Sequence, residues 1–516
     1  MASTFVGVAI SNRGLTAAQV ALATTTNNIS NVNTTGYSRQ VVNQVAIGPA
    51  AVYSRSTVGS GSEVTSVTRV NSFRLDQKYW TESSSLGYYE TTSDYLTQIE
   101  TYLDTSASDT TFSEMISNFY KALETLSTDN SDAARAVVIG YGEDICAYFN
   151  EAAESLTELR NEVNVEVKST VGQINSYATQ IASLNQHITT AATAGASTNE
   201  LEDARDLLID KLSKLTDISV TASTVYTAAD GTTTASYTVA INGSTLVSGN
   251  EARQLECYTI TGTGNQSGMY GIRWADTGDG FTTGEGGALA AYLDVRDGTG
   301  TNGEYQGILY YMDQLDEMAS TFAKAFNEGV YADGTQYYAG HAGGYGLDGS
   351  TGVRFFTYGD TTSAEIADLL ASGTSMNDVY ANVKAANISL TTDVTEDTDK
   401  IAASSSAGAA DGNNENVNDL VEICQDTKVY GNGSLVDFYA SIIATLGTES
   451  AYASRQYDRQ SSLVSYIDDS RASVSGVSTN EETAYMTKYQ QAYDASAQAL
   501  STWSKVLATT INMVSD

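Results

Sequence analysis

Asn27-Asn28-Ile29-Ser30-Asn31-Val32-Asn33-Thr34-Thr35-Gly36-Tyr37-Ser38-Arg39-Gln40 decides how this chain is read. It follows Gly14-Leu15-Thr16-Ala17-Ala18-Gln19. Upstream of the asparagines, Leu15, Ala18, Leu22, Thr25, Ile29 and Val32 recur at three- and four-residue steps. That spacing predicts an amphipathic helix whose stripe seats a partner helix. The helix stops in a polar, Asn-rich turn. Gly36 supplies a residue free to take positive φ where the chain changes direction.

The far end carries a matching stripe. Gly476-Val477-Ser478-Thr479-Asn480-Glu481-Glu482 opens the last helix, with Ser478 and Glu481 at capping-box spacing and Glu482 complementing the helix dipole. Met486, Tyr489, Tyr493, Ser496, Leu500, Trp503, Leu507, Thr510 and Val514 then alternate by three and four. Two seams at opposite ends of a chain predict that the termini pair. The middle then projects away from them.

Bulk properties narrow the classes. With 516 residues the chain has room for three or four domains. A net charge of −36 argues against nucleic acid and anionic membrane as partners. No apolar run approaches the roughly 18 residues of a membrane span, so no membrane insertion is expected. Residues 1–62 contain no acid and carry +3, leaving −39 on the remainder. That leader has no apolar h-region followed by a small-residue cleavage site, so it does not read as a secretory signal peptide. Pro49 is the single proline, so helices and strands run without forced breaks.

Residues 41–75 read as short strands and turns, with Val58–Ser62 a flexible turn and a bulge between Val64 and Val67. Three helices follow, over 75–103, 112–126 and 132–191. The third has a seam at Phe149, Ala152, Leu156, Leu159 and Val163. It slips and resumes at Val167, Thr170, Ile174, Tyr177, Ile181, Leu184 and Ile188, a stutter in a rod of roughly 65 Å. Ser197 and Glu200 stand at capping-box spacing for a further helix, with Leu201, Ala204, Leu208, Leu212 and Leu215 inward and charges on its solvated faces. Tyr237-x-Val239-x-Ile241, Asn242-Gly243 and Ser244–Val247 spell a hairpin with a type I′ turn, and Asp230-Gly231 offers another turn. A return helix is expected through Phe326-Asn327. Residues 328–384 are Gly/Tyr-rich and weakly patterned, a second β insertion or an ordered loop. The acidic run 391–399 reads as a turn and strand edge, and helices follow from about 417 to 475.

The fold class is therefore mainly α with inserted β: a long helical-bundle rod built from both chain ends, plus one or two small antiparallel β domains in the middle. The boundaries expected are 1–40 with 480–516, 41–217 with 385–479, 218–300, and 301–384.

No catalytic constellation emerges. His187 falls between seam residues, and His341 lies in a Gly-rich loop with no Cys or carboxylate at ligand spacing. No P-loop, nucleophile elbow or HExxH occurs. Asp411-Gly412-Asn413-Asn414-Glu415-Asn416 lacks the sixth-position Gly of a calcium loop. Cys146, Cys257 and Cys424 are widely spaced and read as isolated thiols. No enzyme activity, metal or cofactor is expected.

The opening motif resembles the N-terminal signature of the axial proteins of the bacterial flagellum: rod, hook and hook-associated. Tyr489-Gln490-Gln491-Ala492-Tyr493-x-Ala495 resembles their C-terminal element. Gly59, Gly61, Val64, Val67, Arg69, Phe73 and Leu75, then Gly286-Gly287-x-Leu289, Ala325-Phe326-Asn327, and the stretches 385–390 and 400–404, resemble the hook-associated members. The resemblance implies a structural protein of the hook–filament junction. It would be exported without cleavage by a type III apparatus and assembled in a ring that adapts the hook lattice to the filament. It also implies an extracellular location in the flagellum. The partners would be further copies of itself, the hook protein, a second junction protein, flagellin and an export chaperone. Leu15, Ala18, Leu22, Asn27, Asn28, Ile29, Asn31, Gly36, Tyr37, Arg39 and Gln40, with Met486, Tyr489, Tyr493, Leu500, Trp503 and Leu507, are then the candidate subunit-assembly residues. Two alternatives stand beside this: another axial component, hook or rod, and a secreted adhesin-like protein that binds through its β insertions.

Overall fold

The computed structural model describes residues 4–48, 59–104, 111–228, 230–262, 265–300, 305–332, 335–408, 412–431 and 433–515. Val58 of the turn expected at 58–62 and Asp411 of the calcium-like loop lie outside these, as does the side chain of Val514. The chain is mainly α, with long helices at both ends and small antiparallel sheets in the middle.

Helix α1 (Thr4–Ser30) leads into a two-stranded sheet, β1 (Gln40–Ala46) with β2 (Ser62–Arg69). Asn43 faces Ser66 while Gln44 faces Val64, so Thr65 is the extra residue of the expected bulge. Helices α2 (Phe73–Asp104), α3 (Phe112–Thr128), α4 (Asp132–Thr193) and α5 (Asn199–Leu215) follow. At 1.5 Å per residue α4 spans roughly 90 Å.

Two separate apolar cores line α4. The first takes its seam from Val138 to Val163, together with α3, the end of α2, and helices met later in the chain. The second begins at Val167 and includes Trp80, Ile209, Leu212 and the strands of the β insertion. The stutter in the seam is the point where α4 passes from one core to the other. There the packing is polar. Arg296 donates to Asn164 Oδ1 at 2.8 Å, and Arg160 donates to the Arg296 carbonyl at 3.1 Å.

The β insertion has a four-stranded sheet in chain order: β3 (Ile218–Thr227), β4 (Thr233–Ile241), β5 (Ser244–Ser248) and β6 (Glu251–Ala252). A second pair follows, β7 (Leu255–Thr259) with β8 (Tyr270–Trp274). Asn242 at φ 44° and Gly243 at φ 76° make the type I′ hairpin turn that the sequence announces.

The chain returns through two helices where one was expected, α6 (Ala288–Asp297) and α7 (Ile308–Glu328). The break occurs because Gly298 and Gly307 pass backbone against backbone. A Cβ on Gly298 would lie 2.3 Å from the Tyr305 carbonyl oxygen. The Gly/Tyr-rich stretch is ordered: β9 (Gly329–Ala332) pairs with β10 (Thr335–Ala339), and β11 (Phe356–Tyr358) pairs with β12 (Ile388–Leu390). Between β11 and β12 lie α8 (Ser363–Ala371) and α9 (Met376–Tyr380). The acidic run holds a short helix, α10 (Thr392–Glu396), in place of the expected strand edge. Phe119, Phe322, Phe326, Phe355 and Phe356 form one aromatic cluster beneath this region.

His341 closes that cluster. It is fully buried. Its Nδ1–H donates to the Val353 carbonyl at 2.7 Å, and its Nε2 accepts the Ala402 amide at 3.0 Å. Burial lowers its pKa to about 4, so the ring is neutral and both nitrogens are used. Its role is to fasten the loop at 341–354 to the segment at 401–404.

Helices α11 (Glu415–Gln425), α12 (Leu435–Ser475) and α13 (Thr479–Ser515) complete the chain. Helix α12 runs along α2 and α13 returns along α1. All three cysteines are free, Cys146 and Cys424 buried and Cys257 half-buried.

Candidate assembly site

The terminal pair is built on small residues. Gly7, Ser11, Ala18, Ala21, Thr25 and Asn28 of α1 are buried. A Cβ on Gly7 would sit 2.3 Å from the Trp503 ring, and one on Gly14 would sit 2.9 Å from Ser496 Oγ. Asn28 Nδ2 donates to Glu482 Oε2 at 3.1 Å. Gly7, Gly14 and Asn28 are separated by one and two heptads, as are Trp503, Ser496 and Glu482. One antiparallel register therefore holds along the pair.

The buried line of α1 runs one position away from the stripe expected there. Leu15, Leu22 and Ile29 are half-buried beside it, and Val32 is exposed. Ala18 and Thr25 lie on both lines. At Gly7 the reason is steric: the Trp503 ring leaves no room for a side chain opposite it. On α13, Met486, Tyr489, Tyr493, Leu500 and Leu507 are half-buried and Trp503 is 40% exposed. Phe5, Val506, Ile511 and Met513 are also exposed around the free end of the pair.

The Asn-rich motif is the other half of the site. It joins the terminal pair to the rod within one chain. Asn28 uses its whole amide. Its Nδ2 donates to the Gln40 carbonyl at 2.9 Å as well as to Glu482, and its Oδ1 accepts from Tyr37 Oη at 2.8 Å and the Gln40 amide at 3.0 Å. Asn27 Nδ2 donates to Tyr37 Oη at 3.3 Å, and Asn31 Nδ2 donates to Asn27 Oδ1 at 3.0 Å. Gly36 takes φ 81° and turns the chain over Leu207. Burial, then Glu200, Asp203 and Glu482, push the Tyr37 hydroxyl up to about 12, so it remains a donor.

From there the motif reaches the rod. The Ser38 amide donates to Asp203 Oδ2 at 2.9 Å, and Gln40 Nε2 donates to Glu200 Oε1 at 2.8 Å. The Arg39 amide donates to the Ser475 carbonyl at 2.7 Å, and its side chain stands 3.7 Å from Glu481. The entry strand and the exit from α12 are thus tied together.

Helix α5 differs from its expected form at this place. Its N-cap is Thr198, with no side-chain capping bond, and the Ser197–Glu200 box is not made. Of the residues expected inward, Leu212 is fully buried, Leu208 and Leu215 are half-buried against the second core, Leu201 is half-buried and Ala204 is exposed. The face turned inward carries Asp203, Arg205 and Asp206 as well as Ile209 and Leu212. Arg69 explains the buried charges: it contacts Glu202 at 2.8 Å, Asp203 at 3.0 Å and Asp206 at 2.7 Å. Burial disfavours its charge, but these three carboxylates outweigh that and raise its pKa. Arg205 stacks over Tyr237 at 3.5 Å. Arg471 of α12 contacts Asp76 at 2.9 Å and Asp210 at 3.0 Å, and Asp210 also accepts the Trp80 indole N–H at 2.7 Å. No sequence signal marked this cluster, because its partners lie on four elements far apart in the chain.

Among the described residues no group of three or more His, Cys, Asp and Glu is arranged to hold a metal, and no helix is long and apolar enough to cross a membrane. His187 is exposed on α4.

Comparison with known proteins bears on this arrangement. Residues 10–37 match the family described as flagella basal body rod protein. Residues 96–356 match that described as the flagellar hook-associated protein FlgK helical domain. The chain is 32% identical to flagellar hook-associated protein 1 of Bacillus subtilis (strain 168), across 99% of both chains. It is 28% identical to that of Escherichia coli (strain K12), across 97% of this chain and 98% of the other. The solved structure of the flagellar hook junction protein FlgK from Burkholderia pseudomallei shares the fold. Its TM-score is 0.57, over 78% of this chain and all of that one, at 17% identity. A relative aligned from end to end, and a family match over half the sequence, establish that this chain belongs to the flagellar hook-associated protein 1 family.

Proposed function

We propose that this chain builds the hook–filament junction of the bacterial flagellum as a ring of identical subunits. Its role is structural, with no part for catalysis. It adapts one tubular lattice to the next, with the hook protein on one side and a second junction protein and flagellin on the other. An export chaperone would hold the chain before type III secretion, and the mature protein would be extracellular. The domain division is 1–40 with 480–516 for assembly, 41–217 with 385–479 for the rod, and 218–300 and 301–384 as insertions. The relatives favour this reading over an adhesin or another axial component.

One observation carries the assembly role: the antiparallel pair of α1 and α13, whose seam residues keep part of their apolar surface in water in the single chain. Apolar area left in water at about 25 cal/mol per Å² favours burial against neighbouring subunits. The test is complementation of a deletion strain, read by electron microscopy of flagella. The intact chain should restore filaments. Leu500→Asp should give exported, soluble protein and hooks without filaments, because assembly would bury an unpaired carboxylate. Normal filaments with Leu500→Asp would refute the seam's role.

A further inference from the structure

The attachment of the terminal pair to the rod contains more acid than base. Asp76, Glu202, Asp203, Asp206 and Asp210 face Arg69, Arg205 and Arg471. Two negative charges are therefore left over when every carboxylate is ionised. The arginines are shared: Arg69 serves three carboxylates, and Arg471 serves Asp76 and Asp210. At the centre is a cavity of about 40 Å³ bounded by Gly36, Ser38, Asp76, Asp206, Asp210 and Arg471. That is enough for a water but too tight for bulk solvent to dilute the charge.

The location matters as much as the charge. Ser38, which donates to Asp203, lies on the chain leaving α1. Arg471 lies one turn before Ser475, whose carbonyl is held by the Arg39 amide. Both strands that connect the terminal pair to the rod are thus fastened to this one cluster. An open cleft of about 770 Å³ adjoins it, between residues 32–38 and the surfaces of α2, α5 and α12. The Asn-rich loop therefore has room to swing if the fastening loosens.

We propose that this joint is a proton-controlled latch: one carboxylate of the cluster takes up a proton in mild acid, and this tightens the terminal helix pair against the rod. Asp76 is the strongest candidate for that proton. Arg471 faces it from α12, with the exposed Asp468 beyond Arg471, Asp206 and Asp210 face it from α5, Arg69 from β2, and Tyr237 from β4. Burial raises its carboxyl to about 6, Arg471 opposes this, and Asp206 and Asp210 add to it. A carboxyl raised in the closed joint contributes stability that is present below about pH 4. That contribution is lost as pH rises through about 6.

The test is hydrogen exchange on the full chain at pH 5.0 and pH 7.5, corrected for intrinsic rates and read at 36–48 and 69–80. Opening of the joint should be about tenfold rarer at pH 5.0. The core around His341 supplies an internal contrast, since its neutral imidazole makes acid loosen it. Asp76→Asn should give equal protection at both pH values, at the level of the acid form. Equal protection in the wild type, or a tenfold difference that survives Asp76→Asn, would overturn the proposal. Wild-type infrared difference spectra give a second readout that needs no variant: a solvent-shielded protonated carboxyl should appear between pH 7.5 and 5.0, and its absence would also overturn it. Neither readout depends on the junction assignment.

Discussion

The terminal helix pair and the first core of the rod are both helix packings, yet they are held in opposite ways. In the first core, which joins the rod to the 301–384 insertion, Phe119, Phe322, Phe326, Phe355 and Phe356 are almost wholly removed from water within the single chain. In the pair, small residues of α1 line the contact, Gly7 against Trp503 and Gly14 against Ser496, and the large residues of α13 stay partly in solvent. The rod is complete alone. The pair buries too little apolar surface to be strong alone, because a helix without a full partner face is marginal in water. This division suits the proposed role, in which the ends become ordered when subunits join.

The largest effect is expected from the aromatic cluster. Phe326→Ala should cost about 3–5 kcal/mol by loss of packing and opening of a cavity. A calorimetric scan should show the rod transition falling by many degrees. A small shift would mean that the rod is not the self-sufficient part.

Acid sharpens the same contrast. Unfolded His341 titrates near 6.5, while in the fold its pKa is about 4. Its contribution is intact above pH 6.5 and is lost as pH falls through 4, roughly 3 kcal/mol in all. His341→Gln should flatten the denaturant midpoint of the rod between pH 7 and 4, and an unchanged acid slope would place the sensitivity elsewhere.

A smaller and more local loss is expected at the Asn-rich turn. Asn28→Ala leaves the Gln40 amide and Glu482 without a shared partner, at a cost of about 2 kcal/mol. It should raise proteolysis near residues 30–40 and leave the rod transition in place. A fall in that transition would join the two regions into one cooperative unit.

How legible each region was follows from what holds it. The α13 stripe could be read because large residues carry it, from Met486 to Leu507. The α1 line was misplaced by one position, since leucines dominate a periodicity that the glycines and serines in fact define. The α4 seam, the I′ hairpin and the bulge at Thr65 each depend on neighbouring residues and were visible. The charged face of α5 was not, because Arg69 and Arg471, which make it worth burying, come from distant segments. His341 was equally hidden: its partners are the backbones at Val353 and Ala402, and no side-chain pattern announces them.

The central claim is that the pair is marginal in the free subunit and the rod is not. Amide exchange on a dilute monomer tests it most directly. Residues 4–30 and 479–515 should exchange orders of magnitude faster than the buried seam of α4, and should become protected on incorporation into flagella. Ends as strongly protected in the dilute monomer as the seam of α4 would contradict the account.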